Sequence, residues 1–439
     1  MGALMSRHLA VLGRQPEISI AELEAVFGEN SILGGSCQVF SSPTSLTLSG
    51  GPPPDLSPAH VEFVSKTSPV IDRFGGLQKI AKKLEMKPLE LLMDLPEGKL
   101  TIGVSDYTNK ASKKTAATEA LKLKKILVRH GRSVRVVEGN GAVLSTATSL
   151  HNGLSGKNPR KVELIKTDDG WYRVIGVQDI DAYARRDQAR PARDARVGML
   201  PPKLAQILIN LCEGLPEGSV VLDPFCGTGV VLQEALLMGY FAYGTDISER
   251  MVEYSERNLK WLFRDRPRPT GSGVSEVSPV TTEQRGERQP NLFGCPSEVA
   301  PSPQTGANER VEKQPFRVSV GDATSYQWQQ PINAVACEGY LGKPFSKVPT
   351  EMELKEQKQE CRAIIMGFLK NLVGQIEPGT PVTIAIPAWL RESGEYERLE
   401  ILDLIDELGY NVNNKSREGL LYCREGQIVA RDIIILRKK

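Results

Sequence analysis

Three acidic residues stand where short apolar, β-rich runs end: Asp223 after Val220 to Leu222, Asp246 after YFAYG, and Asp322 after FRVSV. The first is followed by a turn, DPFCGTG, that carries Gly227 and Gly229, and then by a helix-forming run, VVLQEALLMG. Glycines at a strand-to-helix turn let backbone approach a bound ligand. An acidic residue at the end of the next strand, 17 positions after Gly229, is placed to accept hydrogen bonds from a ribose diol. Asp322, in GDAT, stands to accept from an adenine amino group, and Phe225, Ile247 and Ala323 complete the candidate cofactor set. The turn lacks the G-x-G-x-x-G spacing that cradles a pyrophosphate, which points to S-adenosylmethionine. A lone glycine turn is ordinary α/β punctuation; three carboxylates at successive strand ends favour a cofactor. Cys226 reads as a small turn residue and not a nucleophile.

A further apolar run, VACEGYLGKP (335–344), stops on a glutamate, a glycine and a tyrosine. Positioning it beside the three carboxylates requires a sheet. From SVVLDPFCGTG onward, β-rich runs alternate with helices, as in a doubly wound sheet. Strands are expected at INAVAC and PVTIAIP, a long helix at MELKEQKQECRAIIMGFLKNLVGQI, a helix at YERLEILDLIDELG, and a terminal strand pair in LLYCREGQIVARDIIILRK. Residues 264–315, rich in Pro, Ser, Thr, Gly and charge, are expected to be a disordered insertion.

Upstream, EISIAELEAVFG reads as a helix with Ser19 as N-cap and Glu22 closing a capping box. Residues 41–58 look like a strand and a turn-rich connection, and strands then alternate with helices, including KLTIGVSDY, the basic helix TEALKLKKILVRHG, SVRVVEG and VELIKT. VQDIDAYARRDQARPARDARVGMLPPK (177–203) is arginine-dense and reads as a connector.

The chain has 439 residues, enough for two or three domains. A net charge of +2, from 55 basic and 53 acidic residues, excludes a strongly polycationic binder but permits local basic patches. Seven scattered cysteines without a C-x-x-C pair, and four histidines without ligand spacing, argue against disulfides, a zinc site and histidine catalysis. No 18-residue apolar stretch or signal-peptide core is present, so a reducing cytoplasm is the expected compartment, with no membrane association and no metal.

DPFCGTG, GTDIS with ERMVEYSERNLKWL, and GDAT resemble the cofactor motifs of class I methyltransferases. LGRQPEISIAELEAVFG, RFGGLQKIAKKL, RRDQARPARDARVGMLPPKLAQILINL and YCREGQIVARDIIIL resemble the tRNA guanosine N2-methyltransferases acting at position ten, over nearly the whole chain except the insertion. The resemblance implies an α/β architecture: a ferredoxin-like part at 1–58, a THUMP-like RNA-binding domain at 59–170, a connector at 171–198, and a Rossmann-like methyltransferase domain at 199–439. It implies methylation of an exocyclic amine in RNA, guanine N2 of tRNA, with tRNA or another structured RNA and a small protein as partners. A DNA amino-methyltransferase and a catalytically silent RNA-binding homologue are the alternatives.

In that family the fourth motif reads D-P-P-Y or N-P-P-Y; its polar side chain accepts from the target amine and its aromatic ring stacks on the flipped base. Here the aligned residues are Cys337, Glu338, Gly339 and Tyr340. Tyr340 keeps the stacking role. Either Glu338 replaces the acidic acceptor after a shift of the loop, or the site is degenerate and Glu338 is a solvated loop residue; a changed target atom or base is a third reading. Lys110, Lys113, Lys114, Lys122, Lys124, Lys125, Arg129, Arg132 and Arg135 form a candidate phosphate-binding face. Of the connector arginines 185, 186, 190, 193 and 196, some are expected to pair with Asp187 and Asp194 and the others to contact RNA.

Overall fold

The computed structural model describes residues 5–35, 59–194, 199–264, 315–329 and 331–439. The expected insertion core, the expected strand at 41–58 and Arg196 lie outside the described residues. Two sheets organise the chain. The first contains β1 (Ser6–Leu12), β2 (Ile32–Gly35), β3 (His60–Ser65), β4 (Leu77–Lys83), β5 (Leu100–Asp106), β6 (Val134–Val137), β7 (Lys161–Thr167) and β8 (Gly170–Val177). Its order is β2-β3-β1-β4-β8-β7-β5-β6. β1 pairs antiparallel with both β3 and β4, so the two upstream modules read from the sequence share one sheet. β8 pairs with β4 as far as Val177, which carries this sheet into the span expected as connector. Its helices are α1 (Pro16–Phe27), α2 (Pro88–Met93), α3 (Lys113–Arg129) and α4 (Thr146–His151), and the connector itself holds α5 (Ile180–Gln188).

The second sheet is Rossmann-like. It contains β9 (Val220–Asp223), β10 (Phe241–Asp246), β11 (Phe316–Val320), β12 (Ala334–Glu338), β13 (Pro381–Leu390), β14 (Tyr396–Arg398), β15 (Tyr410–Val412), β16 (Leu421–Tyr422) and β17 (Val429–Lys438). The order is β11-β10-β9-β12-β13-β17-β15, with β14 on β13 and β16 on β17. β11, β10, β9, β12 and β13 are parallel, and β17 is antiparallel. The order reverses between β9 and β12, and that switch point opens a crevice at the carboxyl ends of the strands. The parallel strands are apolar on both faces because helices cover both. One face packs on α6 (Pro202–Asn210), α7 (Val230–Leu237) and α8 (Glu249–Arg264). The other packs on α9 (Glu351–Leu372) and α10 (Leu402–Glu407), and α11 (Asn414–Glu418) lies near the terminal strand. In α9 the buried Leu354, Cys361, Ile365, Phe368 and Leu372 recur at helical spacing; each such buried Leu or Phe contributes about 2 kcal/mol.

Two helix expectations are corrected. α1 starts at Pro16, where the fixed φ suits a first turn. Ser19 and Glu22 therefore lie inside the helix: the Ser19 hydroxyl donates to Gly76 O at 2.8 Å, and Glu22 accepts from the Gly75 and Gly76 amides at 2.9 and 2.8 Å. The predicted helix over YERLEILDLIDELG splits, because Tyr396 to Arg398 extends β13 as an antiparallel strand and only Leu402–Glu407 is helical.

Candidate active site

The glycine turn is held from three sides. Gly227 and Gly229 have φ values of +49° and +80°, a left-handed backbone that glycine adopts without a Cβ penalty. A Cβ on Gly229 would also lie 2.9 Å from Ser255 Oγ. From α8, the Ser255 hydroxyl donates to Gly227 O at 2.8 Å and Asn258 Nδ2 to Thr228 O at 2.9 Å. The Asn258 amide also clasps the connector, donating to Ala192 O and accepting from Ala192 N. Buried Arg190 completes the clamp by donating to Thr228 Oγ1 at 3.3 Å.

Asp223 is buried, and its Oδ1 accepts from Phe225 N at 3.1 Å. Burial pushes its proton affinity well above the ordinary carboxylate range, and the charges of Asp246 and Glu338 add to the effect. Asp246 at the end of β10 accepts from Gly227 N through Oδ2 and from Ser248 N through Oδ1, both at 2.9 Å. Each oxygen keeps a further lone pair, which fits a diol. Ile247 beside it is 72% exposed, an apolar surface at the crevice mouth. Phe225 packs edge-on against Phe368 of α9 at 5.2 Å. Asp322 is exposed and its Oδ1 accepts from Thr324 N and Oγ1, while Ala323 is buried with its carbonyl accepting from Asn371 Nδ2 at 3.0 Å. The set fits an adenosyl group with a polar tail. Cys226 is buried, and burial together with Asp223 and Asp246 holds its thiol well up, as a packing residue requires.

The two faces of β12 separate Cys337 from Glu338. Cys337 sits in the apolar cluster on the α9 face. Glu338 is the last residue of β12, and the alternation of a strand turns it to the opposite face. It is not a solvated loop residue: its side chain is 16% exposed and ion-paired to Arg431 of β17. Burial raises its proton affinity and Arg431 opposes that rise. The Tyr340 hydroxyl donates to Glu360 Oε1 of α9 at 2.8 Å, and burial pushes its phenol up to about 12. Arg431 and Glu360 are not among the residues singled out from the sequence. The signal for Arg431 lay in IVARDIIIL, where two adjacent charges interrupt a run too apolar to be a surface strand.

The basic elements divide. Lys110, Lys113, Lys114, Lys122, Lys125, Arg129 and Arg135 are exposed, whereas Arg132 is spent on the carbonyls of Leu95 and Pro96 at 3.0 and 2.8 Å. Among the connector arginines, Arg186 donates to both oxygens of buried Glu234, and Asp194 pairs with Arg250 of α8 at 2.8 Å. Arg190, 4% exposed, is not available for the RNA contact expected of it. Arg193 is exposed and donates to Gln188 O at 3.1 Å.

A family model described as DNA methylase matches residues 161–257, which span the connector and the cofactor turn and stop short of Glu338. The tRNA (guanine(10)-N2)-dimethyltransferase of Methanothermobacter thermautotrophicus is 47% identical over 76 residues, 17% of this chain and 22% of that protein. The enzyme of the same name from Methanocaldococcus jannaschii is 30% identical over 158 residues, 35% of this chain and 44% of that protein. The chain thus spans less than half the length of these curated relatives. Among solved structures, TrmN from Thermus thermophilus aligns over 99% of this chain and 100% of its own at 15% identity and a TM-score of 0.41.

Proposed function

We propose that this chain methylates an exocyclic amine of RNA, guanine N2 of tRNA, using S-adenosylmethionine. The observation that carries the reading is the convergence of Asp223, Asp246 and Glu338 at the carboxyl ends of three neighbouring strands, close enough that the latter two raise the proton affinity of the first. The names of the matched relatives supply the substrate class. Asp246 would accept from the ribose, Asp322 from the adenine amino group, and Phe225, Ile247 and Ala323 would line the site, with Asp223, Gly227 and Gly229 at the amino-acid end. When bound, the cofactor supplies an electrophilic methyl on a sulfonium. The amine nitrogen would bond to that methyl as the C–S bond breaks with its electron pair left on sulfur, and the proton released from the amine would pass to water.

Such a displacement needs positioning and electrostatics more than covalent catalysis. Ionised Glu338 would accept a hydrogen bond from the target amine, aligning its lone pair on the methyl and stabilising the charge that develops on nitrogen. Tyr340, tethered through its hydroxyl to Glu360, would stack on the flipped base. The first sheet would form the ferredoxin-like and THUMP-like regions together, with the exposed face of α3 on the phosphate backbone.

A second reading, methylation of an exocyclic amine in DNA, is favoured by the family model over 161–257. Incubation with labelled S-adenosylmethionine and unmodified tRNA or duplex DNA, followed by mass spectrometry of the digested product, separates the two. N2-methylguanosine is the expected nucleoside. Tight cofactor binding with no methylated nucleoside would instead mark a silent RNA binder.

A further inference from the structure

We propose that Arg431 is a positioning residue for Glu338: its ion pair fixes one carboxylate oxygen so that the other meets the substrate amine. The inference rests on the amine-methylation reading.

Arg431 lies on β17, 5% exposed, and its Nε donates to Glu338 Oε1. Among the described residues no protein donor reaches Oε2. The partners are far apart in sequence, but only β13 separates their strands in the sheet. Glu338 stands opposite Ala385 of β13, and Ala385 opposite Ile433 of β17. Ala385, Ala336 and Ile433 share the α6 to α8 face, and alternation along β12 and β17 puts Glu338 and Arg431 on that same face. Ala385 presents only a methyl between them, so the long guanidinium arm reaches across the strand.

The charged and titratable groups facing Glu338 make the pairing consequential. Asp223 of β9 lies beside it and Asp246 of β10 lies beyond, both acidic; the Cys337 thiol on its own strand is held protonated by burial. Burial favours a protonated Glu338, and the Arg431 cation opposes it. A protonated carboxyl would turn one oxygen into a donor facing an amine that itself needs an acceptor. Planar, always-charged arginine suits a fixed hydrogen bond to one oxygen better than a lysine would.

The test uses the full chain labelled with carboxyl-¹³C glutamate, with the Glu338 signal assigned by its loss in Glu338→Gln. In Arg431→Gln, the Glu338 midpoint is expected to rise by about one pH unit or more, a tenfold change in proton affinity. The acidic limb of the kcat profile should move the same way, and cofactor Kd by calorimetry should change less than about threefold, under 0.7 kcal/mol. An unmoved midpoint overturns the proposal. Should Arg431→Gln fail to fold, Arg431→Lys is read instead: a point charge that cannot reproduce the Nε bond should lower kcat about tenfold with KM near native, and an unchanged kcat overturns the proposal. A flat titration with N2-methylguanosine formed strikes down this proposal alone. A shifted titration with no methylated product from tRNA or DNA strikes down the methylation reading, and the positioning role with it.

Discussion

Glu22 on α1 and Asn210 at the end of α6 are hydrogen-bonded at 2.7 Å, 188 residues apart, inside the contact between the two halves of the chain. Asn210 Nδ2 also donates to Arg73 O at 2.6 Å. With the Gly75 and Gly76 amides, the Glu22 carboxylate gathers three donors in a site with no water access. Glu22→Ala should leave them unsatisfied and cost about 3 kcal/mol, read as a lowered urea midpoint.

Burial pushes the Glu22 carboxyl up to about 7, from 4.5 when unfolded. The folded state therefore binds this proton more tightly. The resulting stabilisation, roughly 3 kcal/mol, is complete below pH 4.5 and is lost as pH rises through 7. Unfolding free energies measured from pH 5 to 8 should show the native chain gaining stability relative to Glu22→Gln as pH falls and losing it as pH rises. Parallel curves would remove Glu22 as the source.

Gly227 and Gly229 make a contrasting pair in one turn. Both have positive φ, but a Cβ on Gly227 meets nothing closer than Phe225 O at 3.9 Å, whereas one on Gly229 meets Ser255 Oγ at 2.9 Å and Ser255 Cα at 3.2 Å. Gly227→Ala should cost about 1 kcal/mol, the backbone penalty alone. Gly229→Ala should cost at least about 2 kcal/mol more through overpacking and should weaken cofactor binding by calorimetry. Equal losses would show that Ser255 yields.

Much of the second sheet was legible because its strands end on acidic or glycine-rich motifs and its helices repeat at 3.6 residues. Asp223, Gly227, Gly229 and Asp246 are brought together by the switch point, as their spacing implies. What was hidden belongs to tertiary pairing. Ser19 and Glu22 carry the spacing of a capping box, yet Pro16 starts the helix earlier and frees both for contacts with residues 75, 76 and 210. Arg190 looks like a surface cation in an arginine-rich stretch, and nothing local announces that Thr228 and Met199 bury it. The register at Cys337 and Glu338 escapes motif spelling, because side-chain alternation decides which residue of a strand end faces the crevice.

The exposed lysines of α3 should contribute to RNA affinity by pairing with phosphates. Charge reversal at Lys113, Lys114 and Lys125 together is expected to weaken tRNA binding and to flatten its salt dependence by about one unit of log–log slope for each phosphate left unneutralised, with cofactor Kd unchanged. An unchanged slope would assign those lysines to a solvated helix face.

Glu338 decides between a working site and a degenerate one. On the proposed reading, its position at the end of β12, its pairing with Arg431 and its influence on Asp223 make it the acidic acceptor for the amine, one side-chain methylene longer than the aspartate of the related motif. Glu338→Gln keeps the size but weakens the acceptor and leaves Arg431 without its anion, so methyl transfer should fall by about two orders of magnitude while cofactor binding persists. Glu338→Asp shortens the reach, and it should retain more activity than Gln only where Arg431 can still pair with it. In the native chain activity should decline as pH drops and Glu338 takes up its proton, with the limb above the ordinary carboxylate range because burial raises this group. Full methylation by Glu338→Gln would mean that the amine is held by backbone carbonyls alone, and the carboxylate would then be a structural partner of Arg431.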